Sequence, residues 1–141
     1  MKRICYIIPS LNVGGTERQL IYLVRSLAKD HEITIICTRE SGALSGEAHR
    51  AGAKIEVLDA SSAWDPRIKR RVMHVLRERR PDIVHTFLFG FDWAANSAAR
   101  RFGVPVVISS RRELPSWMKR RHVSMQKLAN RYVDCIVANS E

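Results

Sequence analysis

Three short stretches carry groups that could act on an anionic or hydroxyl-rich ligand. In Pro9-Ser10-Leu11-Asn12-Val13-Gly14-Gly15-Thr16-Glu17, two glycines stand directly before a helical pattern. Glycine lets the backbone approach a ligand closely, and the unpaired N–H groups of a first helical turn favour an anion, a diphosphate above all. A plain turn whose glycines satisfy only backbone geometry reads the same residues. The stretch is neither the Gly-x-Gly-x-x-Gly of dinucleotide binders nor a P-loop ending in Gly-Lys-Ser/Thr. The second stretch is Asp82-Ile83-Val84-His85-Thr86-Phe87. Its His85, at a strand end, suits a hydrogen bond to a sugar hydroxyl or a phosphate, or else a packed core position. The third is Ser109-Ser110-Arg111-Arg112-Glu113. Paired arginines clamp a phosphate or carboxylate from two sides, and they serve equally to pair with Glu113 and solvent.

All three stretches follow apolar runs, and that fixes the elements needed to position them. Ile4–Pro9, Ile33–Thr38, Ile55–Leu58, Asp82–Phe87, Val104–Ser109 and Asp134–Ala138 are short and nearly continuous in apolar and β-branched residues, as strands covered on both faces are. Between them, Leu20, Leu23, Val24 and Leu27 recur at helical spacing in Thr16–Lys29, and Ile68, Val72, Val75 and Leu76 do so in Pro66–Arg79. Phe91–Phe102 is alanine-rich and stops at Gly103, Trp117–Val133 is a longer basic helix, and Leu44–Ala51 is a further candidate. Strands alternating with helices predict an α/β, Rossmann-like, doubly wound parallel sheet of about six strands. Ligands of such sheets bind beyond the carboxyl ends of the strands.

Composition narrows the partners. With 45% hydrophobic residues in 141, the chain has material for one buried core. Its net charge of +10 asks for an anionic partner: nucleic acid, a phospholipid surface or a phosphorylated small molecule. Cys5, Cys37 and Cys135 each sit in an apolar run and are expected to be buried, reduced thiols. No apolar run approaches the ~18–20 residues of a membrane span, and Met1-Lys2-Arg3 with Ile4–Pro9 is too short for a leader. A cytoplasmic protein is therefore expected, and its positive charge suits a peripheral place on the inner face of the plasma membrane. A nucleic-acid binder fits the charge, but no helix-turn-helix, zinc or RNA-recognition signature is present. A nicotinamide enzyme lacks both its glycine fingerprint and an acidic residue at Cys37-Thr38.

Taken in order, the stretches Ile8–Arg18, Arg80–Phe87, Gly103–Arg112 and Val133–Glu141 resemble the N-terminal, acceptor-side half of family-4-like, GT-B fold glycosyltransferases. The resemblance implies retaining transfer of a sugar, of hexosyltransferase type, from a nucleotide-diphospho-sugar to an acceptor hydroxyl on a glycan or lipid-linked acceptor. Cell-surface polysaccharide or glycolipid synthesis is the implied setting. It implies no cofactor, since the nucleotide-sugar is a co-substrate, and no metal held by Asp-x-Asp. Gly14 and Gly15 would approach the donor diphosphate, while His85, Arg111, Arg112 and Glu113 would serve sugar or acceptor. Many relatives carry His-x-His where this chain has His85-Thr86-Phe87, so His85 is a candidate for binding before catalysis. The basic stretches Arg67–Arg80 and Lys119–Arg131, the second beside Trp117, suit an anionic leaflet or a solvated face. Residues 1–141 read as a domain cut off after its last strand, before the C-terminal donor domain. Alone they are expected to be inactive and to hold a nucleotide-sugar at best at millimolar affinity. A stand-alone basic binding domain, for nucleic acid or an anionic membrane, is the alternative.

Overall fold

The computed structural model describes residues 1–62, 65–87, 92–111 and 120–138, with side chains of the last helix from Val123 on. Arg112, Glu113, Trp117 and the loop residue Gly90 lie outside them. Eleven elements alternate along the described chain: β1 (Arg3–Ile8), α1 (Gly15–Leu27), β2 (Glu32–Cys37), α2 (Ser45–Arg50), β3 (Ala53–Val57), α3 (Arg67–Arg79), β4 (Ile83–Thr86), α4 (Asp92–Phe102), β5 (Val106–Arg111), α5 (Arg120–Asn130) and β6 (Cys135–Ala138). The strands form one sheet in the order β3-β2-β1-β4-β5-β6, and every pairing is parallel. The doubly wound architecture expected from the sequence is the one observed. Strand order reverses between β1 and β4, so the crossovers leave that point on opposite sides of the sheet and open a crevice there.

The pleat sends alternate residues of each strand to two separate cores. Ile4, Tyr6, Ile8, Ile33 and Ile35 pack against Leu20, Ile21 and Val24 of α1 and Ala48 of α2. Cys5, Ile7, Ile36, Val84 and Val107 pack against Ile68, Val72 and Leu76 of α3 and Ala95, Ala98 and Ala99 of α4. The period read for α3 aims at the sheet, and that read for α1 does so at Leu20 and Val24, whereas Leu23 is exposed and Ile21 is buried in its place. The alanines of α4 explain why it fits: fully buried and small, they let α3 and α5 pack against it from either side. Truncating a fully buried Ile such as Ile7 to Ala would remove about 2–5 kcal/mol. Arg80, in the left-handed region at φ 46°, ends α3 by donating its N–H to Leu76 O, and Pro81 prevents continuation.

Two aspartates set the strand register in the same way. Asp82, just ahead of β4, accepts the N–H of Arg3 at 2.8 Å, and Asp134, just ahead of β6, accepts that of Val107 at 2.8 Å. Each carboxylate ties the start of its own strand to the start of the neighbouring one. These hydrogen bonds, reinforced by Arg3 and Arg100, hold both carboxyl groups below the usual carboxylate range.

One expectation fails at the edge. Cys135 is exposed, not buried, and so is the whole of β6. Its register opposite Ile108 turns Cys135 to the sheet face away from α5, where no described element packs on it. Cys5 and Cys37 are buried, and burial raises their thiols to about 12 and about 11. Thiolates are the reactive form, so these two are inert in the fold. Native residues 1–141 should therefore titrate one thiol with a disulfide reagent and three after unfolding. Two or more fast thiols in the native chain would contradict the packing of β1 or β2.

Candidate functional site

The loop between β1 and α1 is built from the backbone outward. Leu11 is fully buried, donates its N–H to Ser41 O at 3.0 Å and accepts that of Leu44 at 2.8 Å. Arg39 donates its N–H to Pro9 O, and the Asn12 amide donates to Glu40. Residues 39–44, between β2 and α2, thus form a brace along the loop. The closest approach is at Gly42, with φ +82°, where an added Cβ would lie 2.5 Å from the Asn12 nitrogen and overlap the Leu11 carbonyl. Only glycine fits there.

Gly14 and Gly15 differ from Gly42 in this respect. Gly14 is extended, at φ −161° and ψ 169°, a conformation open to any residue, and a Cβ on it would meet only the movable carboxylate of Glu17. A Cβ on Gly15 would find nothing within 4 Å. Neither the backbone nor the packing of the described residues requires glycine at these two positions. Gly14 offers no side-chain cap. Arg18 donates to Gly14 O, but the N–H groups of Gly15, Thr16 and Glu17 ahead of it have no partner among the described residues. They point out of the helix N-terminus beside the crevice, where the partial positive charge of the helix is concentrated. Glu17 leans its carboxylate back toward Gly14, into the space such charge attracts.

Across the crevice, on β4, His85 sits opposite Tyr6 of β1 in register. Its Nε2 lies 2.7 Å from Ser110 Oγ, and its ring stacks on Phe87 with centroids 4.3 Å apart. Tyr6 closes the group at 5.7 Å from His85, buried so that its hydroxyl is raised to about 12. His85 is half-buried, oriented by Ser110 and by Phe87. The residue in place of a second histidine thus supports the first one's ring. Gly14, Gly15 and His85 are brought to adjacent strand ends.

Arg111 takes another direction. At the end of β5 it belongs to the opposite sheet face, and its guanidinium donates to Asn130 of α5. There it joins a buried polar group that the sequence did not suggest. Asp92, 2% exposed at the start of α4, accepts from Gln126 of α5 at 3.0 Å. Asn96 accepts from Thr86 at 3.1 Å. Among the described residues, Asn96 Nδ2 and Arg111 Nε are buried without a hydrogen-bond partner, and Asp92 Oδ1 and Ser109 Oγ are buried as well. Burial raises the Asp92 carboxyl to about 6, against the Gln126 amide, the Arg111 charge and the Ser109 hydroxyl, which favour its ionised form. Burial likewise lowers Arg111, against the pull of Asp92. This group ties α4, β5 and α5 together directly beneath the strand ends. Among the described residues, no three His, Cys, Asp or Glu side chains are grouped to hold a metal ion. No described helix is long and apolar enough to cross a membrane.

The family model Glycosyltransferase Family 4 matches residues 13–141. The chain superposes on Anabaena HepE in complex with UDP and glucose with a TM-score of 0.78 at 16% identity, covering 99% of this chain and 38% of that one. With the calicheamicin glycosyltransferase CalG4 the TM-score is 0.53 at 18% identity, over 93% of this chain and 42% of that one. A 36-residue segment, 26% of this chain, is 50% identical to 10% of a Campylobacter jejuni enzyme. That enzyme is GalNAc-alpha-(1->4)-GalNAc-alpha-(1->3)-diNAcBac-PP-undecaprenol alpha-1,4-N-acetyl-D-galactosaminyltransferase. The chain spans well under half the length of each, and at these identities the structural likeness establishes the GT-B half-fold.

The buried carboxyl gives a pH signature with a definite sign. Below about pH 4 Asp92 is protonated whether the chain is folded or not, and it costs nothing. Between about pH 4 and pH 6 the unfolded chain releases this proton while the folded one keeps it, so stability falls as pH rises. The full loss is about 3 kcal/mol above pH 6. Asp92→Asn should remove this slope: denaturant unfolding of the two proteins, compared from pH 4 to pH 7, should diverge in favour of the variant. Parallel pH profiles would show that Asp92 titrates normally and that its burial is relieved.

Proposed function

The chain belongs to glycosyltransferase family 4, and from that premise we propose that it forms the acceptor-side wall of a retaining glycosyltransferase. The donor is a nucleotide-diphospho-sugar, a uridine diphosphate sugar being the first to test since HepE was crystallised with UDP and glucose. The acceptor is a hydroxyl on a glycan or lipid-linked glycan, a class to which the undecaprenol-linked substrate in the Campylobacter enzyme's name belongs. A second, donor-binding domain supplies the opposite wall, and the setting is polysaccharide or glycolipid synthesis.

The observation that carries this reading is the pair Gly14–Gly15. Three N–H groups without a partner among the described residues open α1 behind two glycines that the described packing does not require, which is the arrangement a diphosphate would use. As the bond from the sugar's anomeric carbon to the diphosphate oxygen breaks, negative charge grows on the departing phosphate. N–H groups at the helix N-terminus stabilise that charge by ~0.3–2 kcal/mol. Glu17 swings aside to admit it. His85, its ring fixed by Ser110 and Phe87, binds a hydroxyl of the transferred sugar or the acceptor. Arg111 contributes from behind, by holding α5 in place beneath the acceptor side.

Two glycine variants of the complete enzyme test this reading. Gly15→Val should leave stability within about 1 kcal/mol of the parent and lower transfer from the donor at least tenfold, because the new side chain obstructs ligand alone. Gly42→Ala should behave in the opposite sense, with stability down by about 2 kcal/mol or more from its positive φ and its overlap with the Leu11 backbone. Normal turnover by a folded Gly15→Val enzyme would remove the loop from the site.

A further inference from the structure

We propose that the outer face of the layer formed by α3, α4 and α5 is a docking surface for an anionic lipid bilayer. Charge is segregated along the chain. Sixteen of the 24 Lys and Arg residues, but only four of the 14 Asp and Glu, lie between Arg67 and Arg131. That segment carries +12 and everything else carries −2. Among the described residues, the fold gathers the cations of α3, α4 and α5 on one side of the sheet. α3 packs on α4 and α4 on α5, all on one side of the sheet, while α1 and α2 occupy the other.

Several of the cations on this layer are uncommitted. Arg67, Arg79 and Arg100 are paired with Asp65, Glu56 and Asp134. Exposed Arg70, Arg77, Lys127 and Arg131 have no acidic partner among the described residues. Such side chains keep their charge for an external anion, and clustered like charge is unfavourable until one arrives. Between the cations stand apolar side chains in water: Trp93 on α4 is 37% exposed with the Lys69 ammonium 5.3 Å from its ring centroid, and Leu128 on α5 is 39% exposed. At the flank of the layer, a groove of about 530 Å³ between α3 and β3 is lined by Arg70, Arg71 and Arg77 with Val57 and Leu58. It also contains Glu56, already paired, and Glu78, which lies 3.4 Å from His74.

Mixed chemistry selects the bilayer over other polyanions. A nucleic-acid backbone satisfies the cations but gives Trp93 and Leu128 nothing, and three helices side by side offer no projecting element to enter a groove. At a lipid interface both halves gain: the phosphates meet Lys and Arg, and the indole and leucine reach the acyl boundary. Each basic residue near an anionic leaflet is worth about a fivefold change in partitioning, screened by salt. This inference rests on the proposed membrane-linked acceptor for its purpose. Its test uses no substrate, so either reading can fail without the other.

The test is co-sedimentation of residues 1–141 with neutral phosphatidylcholine vesicles and with vesicles containing phosphatidylglycerol, over a range of salt. Binding is expected to the anionic vesicles only, and to weaken as salt rises. Arg70→Gln/Arg77→Gln/Lys127→Gln should lower it on the order of a hundredfold, and the matching Glu triple variant should lower it further, each checked for native circular dichroism. Lys29→Glu/Arg50→Glu, on the α1 and α2 side, should change it little. Trp93→Ala should remove the part of the binding that survives high salt. Equal binding to neutral vesicles, or an equal loss in the Lys29/Arg50 variant, would overturn the proposal. So would displacement by millimolar inorganic phosphate, which marks a free-phosphate site, or tighter binding of duplex DNA through the same three residues.

Discussion

The contact of Gly42 with the backbone of Leu11 and Asn12 is the constraint on which the candidate site depends. Two loops at the carboxyl ends of neighbouring parallel strands can run side by side only if one of them has no side chain at the crossing and a positive φ. From that contact follow the hydrogen bonds between residues 9–12 and 39–44, the burial of Leu11 and the fixed departure of α1. The N-terminus of α1 is thereby aimed at the reversal of strand order between β1 and β4. A helix dipole is useful to a ligand only when its direction is fixed before binding, since ordering a loop on binding consumes the free energy gained.

The second organising feature lies on the other face of the sheet. Asp92, Asn96, Ser109 and Arg111 bury polar atoms at the roots of the segments that follow β4 and β5, and among the described residues Asn96 Nδ2 and Arg111 Nε have no partner. An apolar core of the same size would be more stable, because an unpaired buried polar atom costs about 1–3 kcal/mol. What the polar group provides is direction. Hydrogen bonds from Gln126 and to Asn130 fix where α5 lies on α4 and β5, whereas a greasy contact would allow sliding. The same helix carries part of the basic face. Its placement therefore links the crevice to the surface on which the domain is proposed to rest.

Much of this was legible in the sequence for one reason: a parallel sheet buried on both sides writes itself as apolar runs between helical periods. Gly14 and Gly15 were visible because they fall directly ahead of such a period, and His85 because it ends such a run. Which glycine serves the fold could not be read, since the partner of Gly42 is some thirty residues away in Leu11 and Asn12. The roles of Asp82 and Asp134 were hidden for the same reason, as each acts on a neighbouring strand. Arg111 looked like a ligand clamp because sequence does not say to which face of β5 a residue points. Cys135 looked buried because an edge strand and a central strand can share a composition. The two basic helices were plain in the sequence, whereas their packing on either side of α4 in one layer is a property of the fold.

The central claim is that the bare backbone at Gly14 and Gly15 receives a diphosphate. Amide chemical shifts of residues 1–141, followed as uridine diphosphate is added, test it most directly. The account predicts fast-exchange shifts concentrated on Gly14, Gly15, Thr16 and Glu17, weaker effects near His85, and saturation in the millimolar range, as expected for one wall of a cleft. A few N–H donors provide ~0.3–2 kcal/mol, and other contacts must supply the rest of the ~4 kcal/mol that millimolar binding represents. Shifts centred on α3 and α5, with the α1 N-terminus unmoved, would show that the nucleotide reads only the basic layer and would contradict the account.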